Sequence, residues 1–180
     1  MLASIQRNLE AFLEWFMIFL MVALTIVVII SVLYRLAGDS FSWYDEVAAI
    51  QLSWITYYGA ALAALKRRHI GFDSVLLALP LKIRMAGVVI AEVLVVGFFL
   101  ILTYTGWQVL QVLDDVSLVS LTWMPVQLTQ SVIPIGGALF VICELLSLPE
   151  YWRMTASGKS LEYAEIEEEV EAELQKSGGG

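Results

Sequence analysis

Four runs of mainly apolar residues, about 12–34, 45–65, 85–113 and 123–148, dominate the sequence. A helix needs roughly 20 such residues to cross the hydrocarbon core, and lipid offers the backbone no hydrogen-bond partner outside the helix itself. The runs predict an all-α integral membrane protein with four transmembrane helices. Composition agrees: 59% of the 180 residues are hydrophobic, against roughly 45–50% in soluble domains. The stretch from Trp15 to Leu33 exceeds the roughly 7–15 apolar residues of a secretory signal, and no small-x-small cleavage site ends it, so it reads as a retained anchor.

Basic residues fix the orientation, because short cytoplasmic loops are enriched in Lys and Arg. With four spans, the N-terminus, the second connection and the C-terminus share one side. That side carries Arg7, Lys66, Arg67, Arg68, Lys82, Arg84, Arg153, Lys159 and Lys176, and the other carries Arg35. Both termini are therefore expected in the cytoplasm. Trp43, Tyr44 and Trp123 then serve as aromatic anchors at the opposite interface.

Between the second and third spans, Lys66-Arg67-Arg68-His69-Ile70-Gly71-Phe72-Asp73 leads into a Leu- and Val-rich stretch ending Leu79-Pro80-Leu81-Lys82-Ile83-Arg84. Asp73 suits a helix start, and Lys82 and Arg84 suit a helix end. A short amphipathic helix over 72–84, lying in the membrane interface and bent near Pro80, is expected. The alternative is a loop whose Leu residues pack under the bundle. In the second span, Gly59/Ala63 and Ala60/Ala64 each lie four apart, a spacing that lets helices approach closely.

The formal charge of −8 owes much to the acidic stretch between Glu162 and Glu173. Residues 1–152 thus form the membrane domain and 153–180 an acidic cytoplasmic tail. Ile166, Val170 and Leu174 recur every four residues there, compatible with a short helix or with a solvated tail.

Little in the chain points to chemistry. One Cys, Cys143, excludes an intramolecular disulfide and a dithiol centre, and one His, His69, excludes a bis-histidine haem. There is no glycine-rich phosphate loop and no metal-ligand cluster, so an enzyme, a cofactor, a metal and a nucleic-acid partner are not expected. Carboxylates in or near the spans, Glu14, Glu46, Glu92 and Glu144, are the remaining polar candidates. Each is costly at the bilayer centre, but Glu14, Glu46 and Glu144 lie near span ends, and Glu92 can pair with another helix.

The order of short motifs resembles the small membrane subunit, the Q subunit, of tripartite ATP-independent periplasmic (TRAP) transporters. Val32-Leu33-Tyr34-Arg35 resembles the end of that family's first span, and Ser42-Trp43-Tyr44-Asp45-Glu46 its S-W-x-E-E opening of the second. Trp54 with Gly59-Ala60-Ala61-Leu62-Ala63 is similar to the body of that span. Arg68-His69-Ile70-Gly71-Phe72-Asp73 is similar to H-I-x-V-D, with Phe72 replacing a small aliphatic residue, and Leu79-Pro80 with Arg84 to L-P-x-x-x-R. Pro134-Ile135-Gly136-Gly137 resembles a segment of the fourth span.

The resemblance implies a non-catalytic subunit that anchors the large membrane subunit during sodium-driven uptake of an organic acid delivered by a periplasmic binding protein. On that reading Arg35, Glu46, Trp54, Arg67, Arg68, His69, Asp73, Lys82 and Arg84 are candidates for contact with the large subunit or membrane lipids. Asp45, Asp114 and Asp115 are candidates for docking the binding protein. A small proton-coupled exporter working as a homodimer through Glu14, or an assembly subunit of another membrane complex, is the alternative.

Overall fold

A computed structural model describes residues 2–39, 42–67 and 79–158. Its helices are α1 (Leu2–Leu36), α2 (Tyr44–Leu65), α3 (Leu81–Val112), α4 (Val126–Gln130) and α5 (Val132–Ser157). Four segments are long and apolar enough to span a membrane, the last joining α4 and α5. The four spans are those expected from the apolar runs.

The helix ends differ from expectation where polar residues or prolines sit. α1 begins ahead of residue 12, because a helix can carry Arg7, Glu10 and Glu14 on its polar side while Leu9 and Leu13 face the core. α3 begins at Leu81, directly after Pro80, whose carbonyl accepts from the amides of Ile83 and Arg84. Lys82 and Arg84, assigned by sequence to the end of an interfacial helix, thus belong to the first turn of α3. The remainder of that helix, with Arg68, His69 and Asp73, lies outside the described residues, as does the tail from 159 onward. α5 runs through Pro149 to Ser157. A proline inside a membrane helix is tolerated where neighbouring groups take up the freed carbonyl.

The helices stand in the spatial order α1, α2, α5, α3. α2 packs on α1 and on α5, α3 packs on α5, and α1 makes only a minor contact with α5. Half of the most apolar stretch of the last span is buried within the protein (50%), against 11% for α1, 11% for α2 and 6% for α3. α5 is therefore the central helix, and the outer sides of α1 and α3 present Ile18, Phe19, Ile26, Ile90, Leu94 and Ile101 to the surroundings.

Close approach at α5 depends on absent side chains. A Cβ on Gly136 would come within 2.7 Å of Tyr57 Cβ on α2, and one on Gly137 within 2.6 Å of Thr103 Oγ1 on α3. Gly106 of α3 reciprocates: its Cβ would meet Ile133 Cγ2 at 2.8 Å. One turn beyond the Gly137–Thr103 contact, Phe99 and Phe140 stack at 3.6 Å between ring centroids. Leu13, Ala61, Ala64, Leu65, Phe140 and Cys143 complete a core shared by α1, α2 and α5.

Candidate functional site

The most polar place inside the protein lies where α2 ends. Arg67 follows the last turn of α2 with φ 51°, a left-handed conformation uncommon for a residue with a side chain. That reversal turns the guanidinium back into the protein, where it is 10% exposed. Nη1 pairs with Glu92 on α3 and with Glu144 on α5 at 2.9 Å. Nε donates to Ser147 Oγ at 2.8 Å and Nη2 to the Glu144 carbonyl at 3.1 Å. The guanidinium also lies 4.6 Å from the ring centroid of Tyr151. A single arginine at the end of α2 thus engages two further helices, using the planar fork that distinguishes it from lysine. Ser147, 2% exposed, approaches the Ala64 carbonyl at 3.1 Å and so joins α5 to α2 a second time.

Lys66, the preceding residue, reaches the other way. Its ammonium pairs with Glu10 at 3.0 Å and with Glu14, both on α1. The hydrogen bond that Lys66 donates to Glu14 outweighs desolvation and lifts Lys66 above the ordinary lysine range, so it stays charged at physiological pH. Two consecutive residues therefore form a layer of charge that joins all four long helices: α1 through Lys66, α3 and α5 through Arg67.

At the other end of the protein the links are of a different kind. Glu46, in the first turn of α2, accepts from the amides of Val119 and Ser120 at 3.1 Å each and from the Ser120 hydroxyl. It fixes the α3–α4 connection, which folds back on itself through a bridge between Ser117 and Pro125. Trp54 Nε1 donates to the Thr129 carbonyl at 3.3 Å, tying α2 to α4. Gln127 donates to Asp114 and to the Leu110 carbonyl. Asp45, Asp115 and Arg35 are exposed, Asp115 with a positive φ of 64°.

The structure thus distributes the candidate residues in three ways. Arg67, Glu46 and Trp54 point inward and are spent on contacts within the chain. Asp45, Asp114, Asp115, Arg35 and Lys82 lie on the exterior, while Arg84 is buried at 9% exposure. Arg68, His69 and Asp73 lie outside the described residues. Glu10, Ser147 and Tyr151 escaped the sequence reading altogether. A signal for them exists: when the four spans are aligned by depth, Glu14, Glu92 and Glu144 fall at the level of Lys66-Arg67, and Glu10 lies one turn from Glu14.

A family model described as "Tripartite ATP-independent periplasmic transporters, DctQ component" matches residues 24–154. The match takes in Glu46, Trp54, Arg67, Glu92, Glu144, Ser147 and Tyr151, and leaves out Glu10 and Glu14. No curated protein shows a significant match to the chain.

Proposed function

Since the chain belongs to the DctQ family, the small membrane component of TRAP transporters, we propose that it is the stationary part of its transporter. It anchors the large membrane subunit while that subunit takes up an organic acid, delivered by a periplasmic binding protein, on the energy of a sodium gradient. Membership supports a partnership with both of those proteins.

The observation that carries the scaffold reading is the charged layer at Lys66-Arg67. A helix that slid or tilted against its neighbours would separate buried charges, and removing one partner of a buried pair costs about 3–5 kcal/mol. The layer therefore resists internal rearrangement, which suits a part that bears load. Such ion pairs also set helix register, since Arg67 meets Glu92 and Glu144 at one depth.

On this reading the Lys66 end faces the cytoplasm of the inner membrane and the Glu46 end the periplasm, following the excess of basic residues. The exposed apolar sides of α1 and α3 are available to the large subunit and to lipid. Arg35, Asp45, Asp114 and Asp115, on the periplasmic exterior, are available to the binding protein.

Co-expression with the large subunit from a neighbouring gene, followed by detergent extraction and affinity capture, tests the proposal. The two chains should co-purify, and uptake in vesicles should require both. Free recovery of the small chain under conditions that keep other TRAP complexes whole would overturn it.

A further inference from the structure

Among the described residues, buried polar atoms of Gln51, Arg84, Glu92 and Glu144 lack a hydrogen-bond partner, and Arg84 carries the donor of that group. It sits in the first turn of α3 and is 9% exposed, yet its buried Nε has no hydrogen-bond partner. Arg67, similarly buried, pairs with two carboxylates; no carboxylate among the described residues pairs with Arg84. A buried donor left without an acceptor is costly, so the site calls for an acceptor, and the positive charge of the guanidinium favours an anionic one.

Three features around Arg84 agree. It stands at the N-terminal end of a long helix, where the aligned peptide dipoles favour negative charge. Pro80 occupies the N-cap position and supplies no side-chain cap. The last residue of the facing helix end is Gly158, whose Cβ, were one present, would lie 3.6 Å from Arg84 Nη1. Gly158 is required by its own φ of 80°, and it places no side chain over the guanidinium.

Depth identifies the anion. The 32 residues of α3 extend ~48 Å at 1.5 Å per residue, against roughly 40–45 Å for a bilayer with its headgroups. The first turn of α3 consequently lies among the headgroups. Lys82 is exposed on the same turn, and Trp152 is exposed near the end of α5, a residue type favoured at that level.

We propose that Arg84, with the start of α3, binds the phosphate of a phospholipid headgroup. The planar guanidinium matches two phosphate oxygens at once, the strong geometry of charge-assisted hydrogen bonding. The proposal rests on the membrane placement of the chain and not on its role as a scaffold.

Native mass spectrometry of the full chain in detergent, titrated with phosphatidylglycerol, tests it. The wild type should retain a lipid that Arg84→Gln binds about tenfold more weakly, with Arg84→Lys between them and Lys82→Gln near wild type. Inorganic phosphate should not compete; full displacement by it would mark a soluble-anion site and overturn the lipid assignment. A chain ending at Gly158 should bind as the full chain does. If it bound lipid that the full chain excludes, the tail carboxylates would be the anion and the proposal would fall. Equal lipid retention by wild type and Arg84→Gln would overturn it outright. Should Arg84→Gln not fold, thermal stability of the wild type decides: phosphatidylglycerol should raise Tm, and absence of any shift refutes the site. Co-purification with the large subunit is scored separately, so failure of either idea leaves the other legible.

Discussion

At Arg67 the chain accepts a strained backbone to place a charge. A left-handed residue other than glycine costs about 1–2 kcal/mol, which the contacts with Glu92, Glu144, Ser147 and Tyr151 offset. Arg67→Ala should lower stability by about 3–5 kcal/mol, because two carboxylates are left buried without their partner. Arg67→Lys should recover only part, since an ammonium cannot reach both carboxylates and Ser147 together. Replacing Arg67, Glu92 and Glu144 together by Met, Gln and Gln should restore much of the loss. Thermal unfolding in detergent, followed by helical signal, reads all three variants; no loss in Arg67→Ala would mean the layer is ornamental. Lys66→Ala should cost less, on the order of 0.2–1 kcal/mol per pair, since its ammonium is 25% exposed. The basic stretch was conspicuous in the sequence, but the inward turn of Arg67 was not. Its direction is set by one backbone torsion and by acids 25 and 77 residues away along the chain.

The helices themselves were legible because the apolar runs are longer than any other signal in the chain. Their ends were not: Pro80 starts α3, whereas Pro149 fails to stop α5, and the difference lies in what surrounds each proline. Of the small pairs of α2 expected to pack, Gly59/Ala63 and Ala60/Ala64, Ala64 is fully buried and the other three half-buried, while the neighbouring Ala61 is fully buried as well; the partner helices became visible only in three dimensions. Glycines divide by what they face. Gly136→Val should be destabilising by about 1–3 kcal/mol through overpacking, because the atom it meets is Tyr57 Cβ, fixed to the backbone of α2. Gly59→Ala should be tolerated, because its Cβ would meet Met17 Cε at 3.1 Å, the end of a flexible side chain. Thermal unfolding of the two variants side by side checks this; equal losses would mean α1 is as tightly set against α2 as α5 is.

At the scale of the whole molecule, the row α1, α2, α5, α3 places the last of the described helices in the interior. During synthesis α1 and α2 can pair as soon as both are in the membrane, with Lys66 already in reach of Glu10 and Glu14. α3 cannot settle in the same way, because the helix it packs on is made after it. A chain ending at Gln130 should therefore let a flexible thiol-specific cross-linker, long enough to replace the paired side chains, join Glu10→Cys to Lys66→Cys but not Arg67→Cys to Glu92→Cys. In the full chain carrying Cys143→Ser, both pairs should cross-link. Equal cross-linking of the second pair without α5 would show that α3 finds its place alone. The order of synthesis thus runs against the order of packing: α3 enters the bilayer before the helix that will hold it exists.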